Sequence, residues 1–383
     1  MSTITGTVTN GVTLGQAGYT SPLKITGGGT VSNSTGAAVY ASGTYANPVV
    51  VNHGTIIDTA GFDAVELKGG GSVANTALIQ GYTGVDIFGA VATVTNSGTI
   101  TGTGQLGFGV FLGAGGSVGN TGLVSRVEIY GAAGTVTNSG TIVGLSGVVL
   151  GAGGTVVDSG TITGGGTAIS FGGTGGNLLV LEHGYELGGG VSVAGTANTL
   201  ELLGTAGPVT VDFDKPGAGF TNFDTVAFGA ASGNKETLTI TDTAALPGTI
   251  SGFSQLHDSV DLTQLSPKGA TATLNGGNHL VVSNGSQSVS LQLDPSENYS
   301  GVVWKTNPDG KGGTDATVQK AGASSFGFDD ISGVPAFAGG ANGPPTGVMP
   351  VSEDNGGASL FPPPGGGMPA VIDPTLLHGT PLG

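Results

Sequence analysis

Asp63, Glu66, Lys68 and Asp86 are the densest group of chemistry-bearing residues in the first half of the chain, three carboxylates and an ammonium within 24 positions. Such a set is what acid–base cleavage of an acidic polysaccharide requires: carboxyls to protonate a leaving oxygen, activate water or hold a metal, with a base beside them. The other acids of residues 1–176 (Asp58, Glu128 and Asp158) and the other bases (Lys24 and Arg126) stand singly, as solvated surface positions do. Among these the four-residue group is expected to be an incidental charged edge, with catalysis as the sharper alternative.

Further along, the spacing of Asp309, Gly310, Lys311, Gly312, Gly313 and Asp315 is similar to a calcium-binding nonapeptide turn. Lys311 stands where another glycine would serve, and no tandem copies follow, so Asp309 and Asp315 are the only metal candidates, for calcium. His53, His183, His257, His279 and His378 are dispersed without metal-ligand spacing and are expected to be solvated or core side chains. Phe253 and Trp304 are expected in the core. No catalytic residue and no cofactor site is assigned.

The elements that must carry these residues announce themselves by repetition. TVTNSGTI occurs at 93–100 and again at 135–142, and TVVDSGTI at 155–162. Looser copies place the anchoring amide or acid at Asn10, Asn33, Asn52, Asn75, Asn96, Asn120, Asn138 and Asp158, in steps of 18 to 24 residues. A second phrase runs out of phase, as Val65-Glu66-Leu67, Val85-Asp86-Ile87, Val110-Phe111-Leu112, Val127-Glu128-Ile129 and Val148-Val149-Leu150. Each unit thus holds about three short strands separated by Gly pairs and Asn-Ser-Gly turns. A strand of three to five residues cannot bury a face by itself, whereas stacking coil on coil pairs its backbone above and below and fills a shared interior. The fold class this predicts is all-β, a right-handed parallel β-helix. Stacked amides of the Asn/Asp column would hydrogen-bond along the rod and satisfy the bends. A lattice of Thr hydroxyls for ice or a crystalline glycan is the less favoured idea, because coils of unequal length are expected to lose register.

Composition sets further bounds. Gly and Pro number 78 and 18 of 383 residues, a share that would suggest disorder if the sequence had no period. With 9 basic against 25 acidic residues the net charge is -16, so a basic footprint for nucleic acid is missing. Cysteine is absent, which removes disulfides, thiolate metal sites and cysteine nucleophiles together. The first residues show neither the basic nor the apolar region of a Sec signal peptide, and no apolar run is long enough for a transmembrane helix.

The expected organisation is a regular array over 1–176, an irregular continuation of the β-helix over 177–250, a β capping module over 251–318, and a disordered Gly/Pro-rich tail over 319–383. Capping has a physical purpose, because an open last coil would present unpaired strand edges.

Coils of the form GGxVxNSGTIxG, with GVxLGAGG between them, resemble the glycine-rich β-strand-repeat surface proteins of Gram-negative bacteria, including autotransporter passengers and adhesin-like proteins. The stretches 177–182, 198–202 and 219–226 are similar to terminal coils of such passengers, and 251–262 with 299–315 look like the closing module of large secreted proteins. The family pattern would end in an outer-membrane barrel, whereas a Pro/Gly tail stands here. Export by another route, or membership of a larger polypeptide, is therefore expected. What the resemblance implies is a non-enzymatic secreted or cell-surface rod that serves adhesion, matrix formation or self-association, with glycans or proteins of host or bacterial surfaces, and copies of itself, as partners. The alternative is a polysaccharide-binding or polysaccharide-degrading β-helix of the pectin-lyase or phage-tailspike kind.

Overall fold

The computed structural model describes residues 1–214, 219–229, 233–242 and 248–320. The tail assigned to 319–383 falls outside these from residue 321 onward, as does His378. The described residues are all β, without helix, and form a parallel β-solenoid. Among the described residues no helix is long and apolar enough to cross a membrane.

Three faces close each coil. The first is a 12-stranded parallel sheet running without interruption from Ser2–Ile4 to Thr249–Ser251. At ~4.8 Å per strand it rises roughly 50 Å. The second and third faces begin as separate short strands, such as Thr99–Gly102 and Val110–Leu112. From Leu123–Ile129 onward one longer strand turns the corner and serves both, so the two faces fuse into a 15-stranded sheet. The bend is made by bulges, with register shifts between Ser125 and Val127 and between Gly144 and Ser146.

Alternation of strand side chains explains the interior. On the first face Leu23, Val50, Val73, Val94, Val118, Val136, Val156, Leu179, Leu200, Val226 and Ile250 lie in one register column, every one buried. On the second face Val31, Ile56, Ile79, Ile100, Val124, Ile142 and Ile162 do the same, and the partly buried Leu187 continues their register. Each such side chain removed from water contributes about 1.5–3 kcal/mol, which is how three-residue strands hold together. Unequal coil lengths do not break register, contrary to the expectation from sequence: Ser72, Thr93, Ser117, Thr135 and Thr155 stay aligned because extra residues loop out at the corners.

The corner before the first face is built on glycine. Gly116, Gly134 and Gly154 are in register, and Gly154 sits at φ +137° with no room for a Cβ, which would collide with the carbonyl of Gly134 one coil below. Gly154→Ala is expected to destabilise the rod by about 3 kcal/mol, combining a left-handed φ with overpacking. Gly119→Ala, at an ordinary φ with nothing near its Cβ position, should be neutral or slightly stabilising. Urea midpoints of the two variants test this, and equal midpoints would refute it.

After Glu186–Val193 the second face stops and restarts as another sheet. Val209–Asp212, Glu236–Ile240 and Ser259–Leu262 stack in parallel, and Thr314–Lys320 and Val302–Pro308 close them with antiparallel pairing. Thr271–Asn275, His279–Ser283 and Ser288–Gln292 form a separate antiparallel meander. Phe253 is fully buried and stacks on Phe228 at 5.0 Å, while Trp304 is partly buried against Tyr299 at 5.8 Å.

Candidate functional site

The Asn column of the sequence is a buried amide ladder at the corner between the first and second faces. Nδ2 of Asn52, Asn75, Asn96, Asn120 and Asn138 donates in turn to Oδ1 of Asn75, Asn96, Asn120, Asn138 and Asp158, at 2.8, 2.8, 2.9, 2.8 and 2.8 Å. Each amide also donates to carbonyls of its own turn and of the next coil, as Asn96 does to Gly98 and Leu123 at 3.1 Å each. The ladder starts at Asn52, not earlier: Ile25 holds the position below it, and Asn33 lies on the second face opposite Asp58. Its top rung is an acid, whose Oδ1 accepts from Asn138 Nδ2 and the Gly160 N–H. Oδ2 of Asp158 is left buried without a partner, and burial pushes its carboxyl up to about 6 despite the bonds from Asn138 and Gly160. A second, shorter ladder at the corner before the first face joins Asn177 to Asn198 at 2.9 Å, with the Asn198 N–H donating to Asp224 at 2.9 Å. The sequence repeat did not single it out, although its residues open the strands that follow. These ladders are architecture.

The outer surface of the third face carries the chemistry. In each Val-x-Leu strand the middle side chain points outward, and register stacks Tyr40, Glu66, Asp86, Phe111 and Glu128 in one column along the rod. The four residues picked out by the sequence meet here. Lys68 Nζ pairs with Glu66 at 2.9 Å and lies 5.5 Å from the Tyr40 ring centre. Asp63 reaches in from the preceding corner, its Oδ1 accepting the Thr83 N–H at 3.0 Å, and hydrogen-bonds the side chain of Asp86. Burial, then the charges of Asp63 and Glu66, push Asp86 up to about 8, so at neutral pH this pair shares one proton, with Asp86 as donor. Asp86 Oδ1 remains buried and unpartnered.

One coil further along, the surface turns aromatic, which no charge pattern signalled. Phe111 packs on Phe88 at 5.5 Å, Phe108 at 5.6 Å and Tyr130 at 5.9 Å between ring centres. Phe88 and Tyr130 remain 39% and 41% exposed, so the platform is open to solvent. Both rings lie over glycines, Gly113 and Gly151, whose bare backbone makes room for them. Arg126 stacks over Phe108 at 4.7 Å and pairs with buried Glu128 beside the ring. Comparison of the chain with protein-family models, curated proteins and solved structures returns no match.

The remaining candidates do not converge. Oδ1 of Asp309 already accepts the N–H groups of Lys311, Gly312 and Gly313 at 2.6, 2.8 and 2.8 Å, a turn-forming role. Asp315 lies opposite Asp261 and Asn307 in the closing sheet, and burial raises its carboxyl. Lys311 lines the same ~350 Å³ depression as Asp261 and Asp309 and offers a cation of its own. Among the described residues no group of three or more His, Asp or Glu takes up a metal-holding arrangement. His53 meets Thr76 and His183 meets the Pro208 carbonyl, both at 2.8 Å, at different places on the rod.

Proposed function

We propose that this protein is a secreted or cell-surface adhesion rod that holds a saccharide chain along its third face. One observation carries the reading. The open Phe88–Phe111–Tyr130 platform continues, coil by coil, into the Glu66 and Asp63–Asp86 carboxyls. Rings stack on the apolar face of a pyranose, and a carboxyl pair sharing a proton both donates to and accepts from sugar hydroxyls. The ~4.8 Å coil spacing is close to the length of one hexose, so successive coils meet successive sugars. Many weak contacts along an extended face then supply avidity.

Recognition is favoured over cleavage because the column is continued by a ring and not by a further carboxyl: Phe111 holds the position after Asp86 and packs into the open platform. Phe111→Ala is expected to lower affinity for neutral oligosaccharides on a glycan array at least tenfold, with the circular dichroism unchanged. Undiminished binding would sink the reading, and release of reducing sugar abolished by Asp86→Asn would favour the degrading alternative.

A further inference from the structure

The second face is broken once, and the break is a cleft. Below it, Glu186–Val193 pairs with Thr161–Phe171; above it, Val209–Asp212 pairs with Glu236–Ile240; no described strand joins the two walls. On the upward side Glu186–Val193 meets another strand only at Val191 and Ser192. A cavity of ~690 Å³ lies between, lined by His183, Tyr185, Glu186 and Leu187 on one wall and Thr210 and Asp212 on the other.

Hydrogen-bond parity shows what the walls offer. Successive residues of a paired strand turn their peptide groups to opposite sides. Glu186 donates its N–H down to Gly160, which leaves the peptide groups of Leu187 turned up into the cleft. Val209 and Phe213 donate up to Lys235 and Thr239, which turns Thr210 down into it. Two side chains bridge the walls where a ladder would run: Tyr185 Oη donates to the Thr210 carbonyl at 2.6 Å, and His183 Nδ1 meets the Pro208 carbonyl at 2.8 Å. A tyrosine side chain thus spans a gap of about two ~4.8 Å strand spacings, the room one extra strand needs. Glu186 gives the cleft an exposed acidic side chain, and no lysine or arginine lines the cavity among the described residues.

We propose that this cleft is a docking slot for an extended, lysine- or arginine-bearing peptide, which enters as the missing strand and pairs with Leu187 below and Thr210 above. Main-chain pairing supplies the affinity and Glu186 chooses a basic sequence, the strand-addition mode of peptide recognition. Leu187, Val209 and Phe220 form the core side of the cleft, and the peptide takes the place of the Tyr185 and His183 side chains at the Thr210 and Pro208 carbonyls.

The test uses isothermal titration of the full chain with the capped pentapeptide Val-Lys-Val-Lys-Val. Saturable binding is expected, weakened at least tenfold when alternate peptide nitrogens are methylated, and lost when both lysines become glutamates. Glu186→Lys, an exposed substitution that leaves folding intact, should reverse the preference between the basic and acidic peptides. Equal binding of methylated and unmodified peptides, no saturation at millimolar concentration, or displacement by oligosaccharides would each overturn the proposal.

Discussion

The rod is expected to melt on the order of 10 °C higher at pH 5 than at pH 9, the reverse of ordinary acid denaturation. Four carboxyls are pushed up chiefly by burial: Asp86 to about 8, Glu236 and Asp258 to about 7, and Asp158 to about 6. Glu236, Asp258 and Asp158 are each buried with one oxygen that finds no partner. In the unfolded chain all four return to ordinary carboxylate values near 4. A raised folded value means that the native state binds the proton more tightly than the unfolded one. The stabilisation is fully present below pH 4 and is lost as pH rises through 6, 7 and 8.

For Asp158, which is fully buried, the interval from pH 5 to its value of about 6 corresponds to about 1.4 kcal/mol. Summed with discounts for the partly solvated Asp86, the four reach on the order of 5 kcal/mol, and each kcal/mol moves the melting point of a chain this size by about 2–4 °C. The net charge of -16 acts in the same direction, since protonation relieves self-repulsion. Melting followed by circular dichroism from pH 5 to pH 9 checks this. A flat profile would mean that water reaches these carboxyls.

How much of this was legible in the sequence depends on whether the governing contact was local. The repeated phrase fixed coil and turn together, because Asn, Ser and Gly at one bend and Val or Ile two residues to either side obey the same period. It also predicted the amide ladder from Asn52 to Asp158. Asn33 was placed in the wrong column, since similar Asn-Ser turns serve two corners of the coil and only register tells them apart. The convergence of Asp63 on Asp86 was visible as proximity in sequence, one coil apart. The aromatic platform was not, because Phe88, Phe111 and Tyr130 come from three coils with unequal loops between them. Least legible was the break after Glu186–Val193: parallel pairing is decided by a strand more than twenty residues away, and Val209–Asp212 has the same alternation as any strand that does pair.

The amide ladder supplies the sharpest stability test, because the same exchange of one atom should have opposite effects at two of its rungs. Asn96→Asp replaces a donor that serves Asn120 Oδ1, the Gly98 carbonyl and the Leu123 carbonyl by an oxygen facing all three. A buried charge would then be opposed by three acceptors, and the expected cost is about 3–5 kcal/mol at pH 8, shrinking toward pH 4 as the new acid takes up a proton. Asp158→Asn does the opposite. It supplies an amide where Oδ2 now has no partner, facing the carbonyls of Gly160 and Glu186, which by register match those that serve every rung below. It should stabilise the rod by up to about 3 kcal/mol at pH 8 and by little at pH 4, where Asp158 is already protonated. Urea midpoints of the two variants at both pH values decide the matter. If both exchanges shift the midpoint in the same direction, the ladder is not directional and Asp158 is not its terminator.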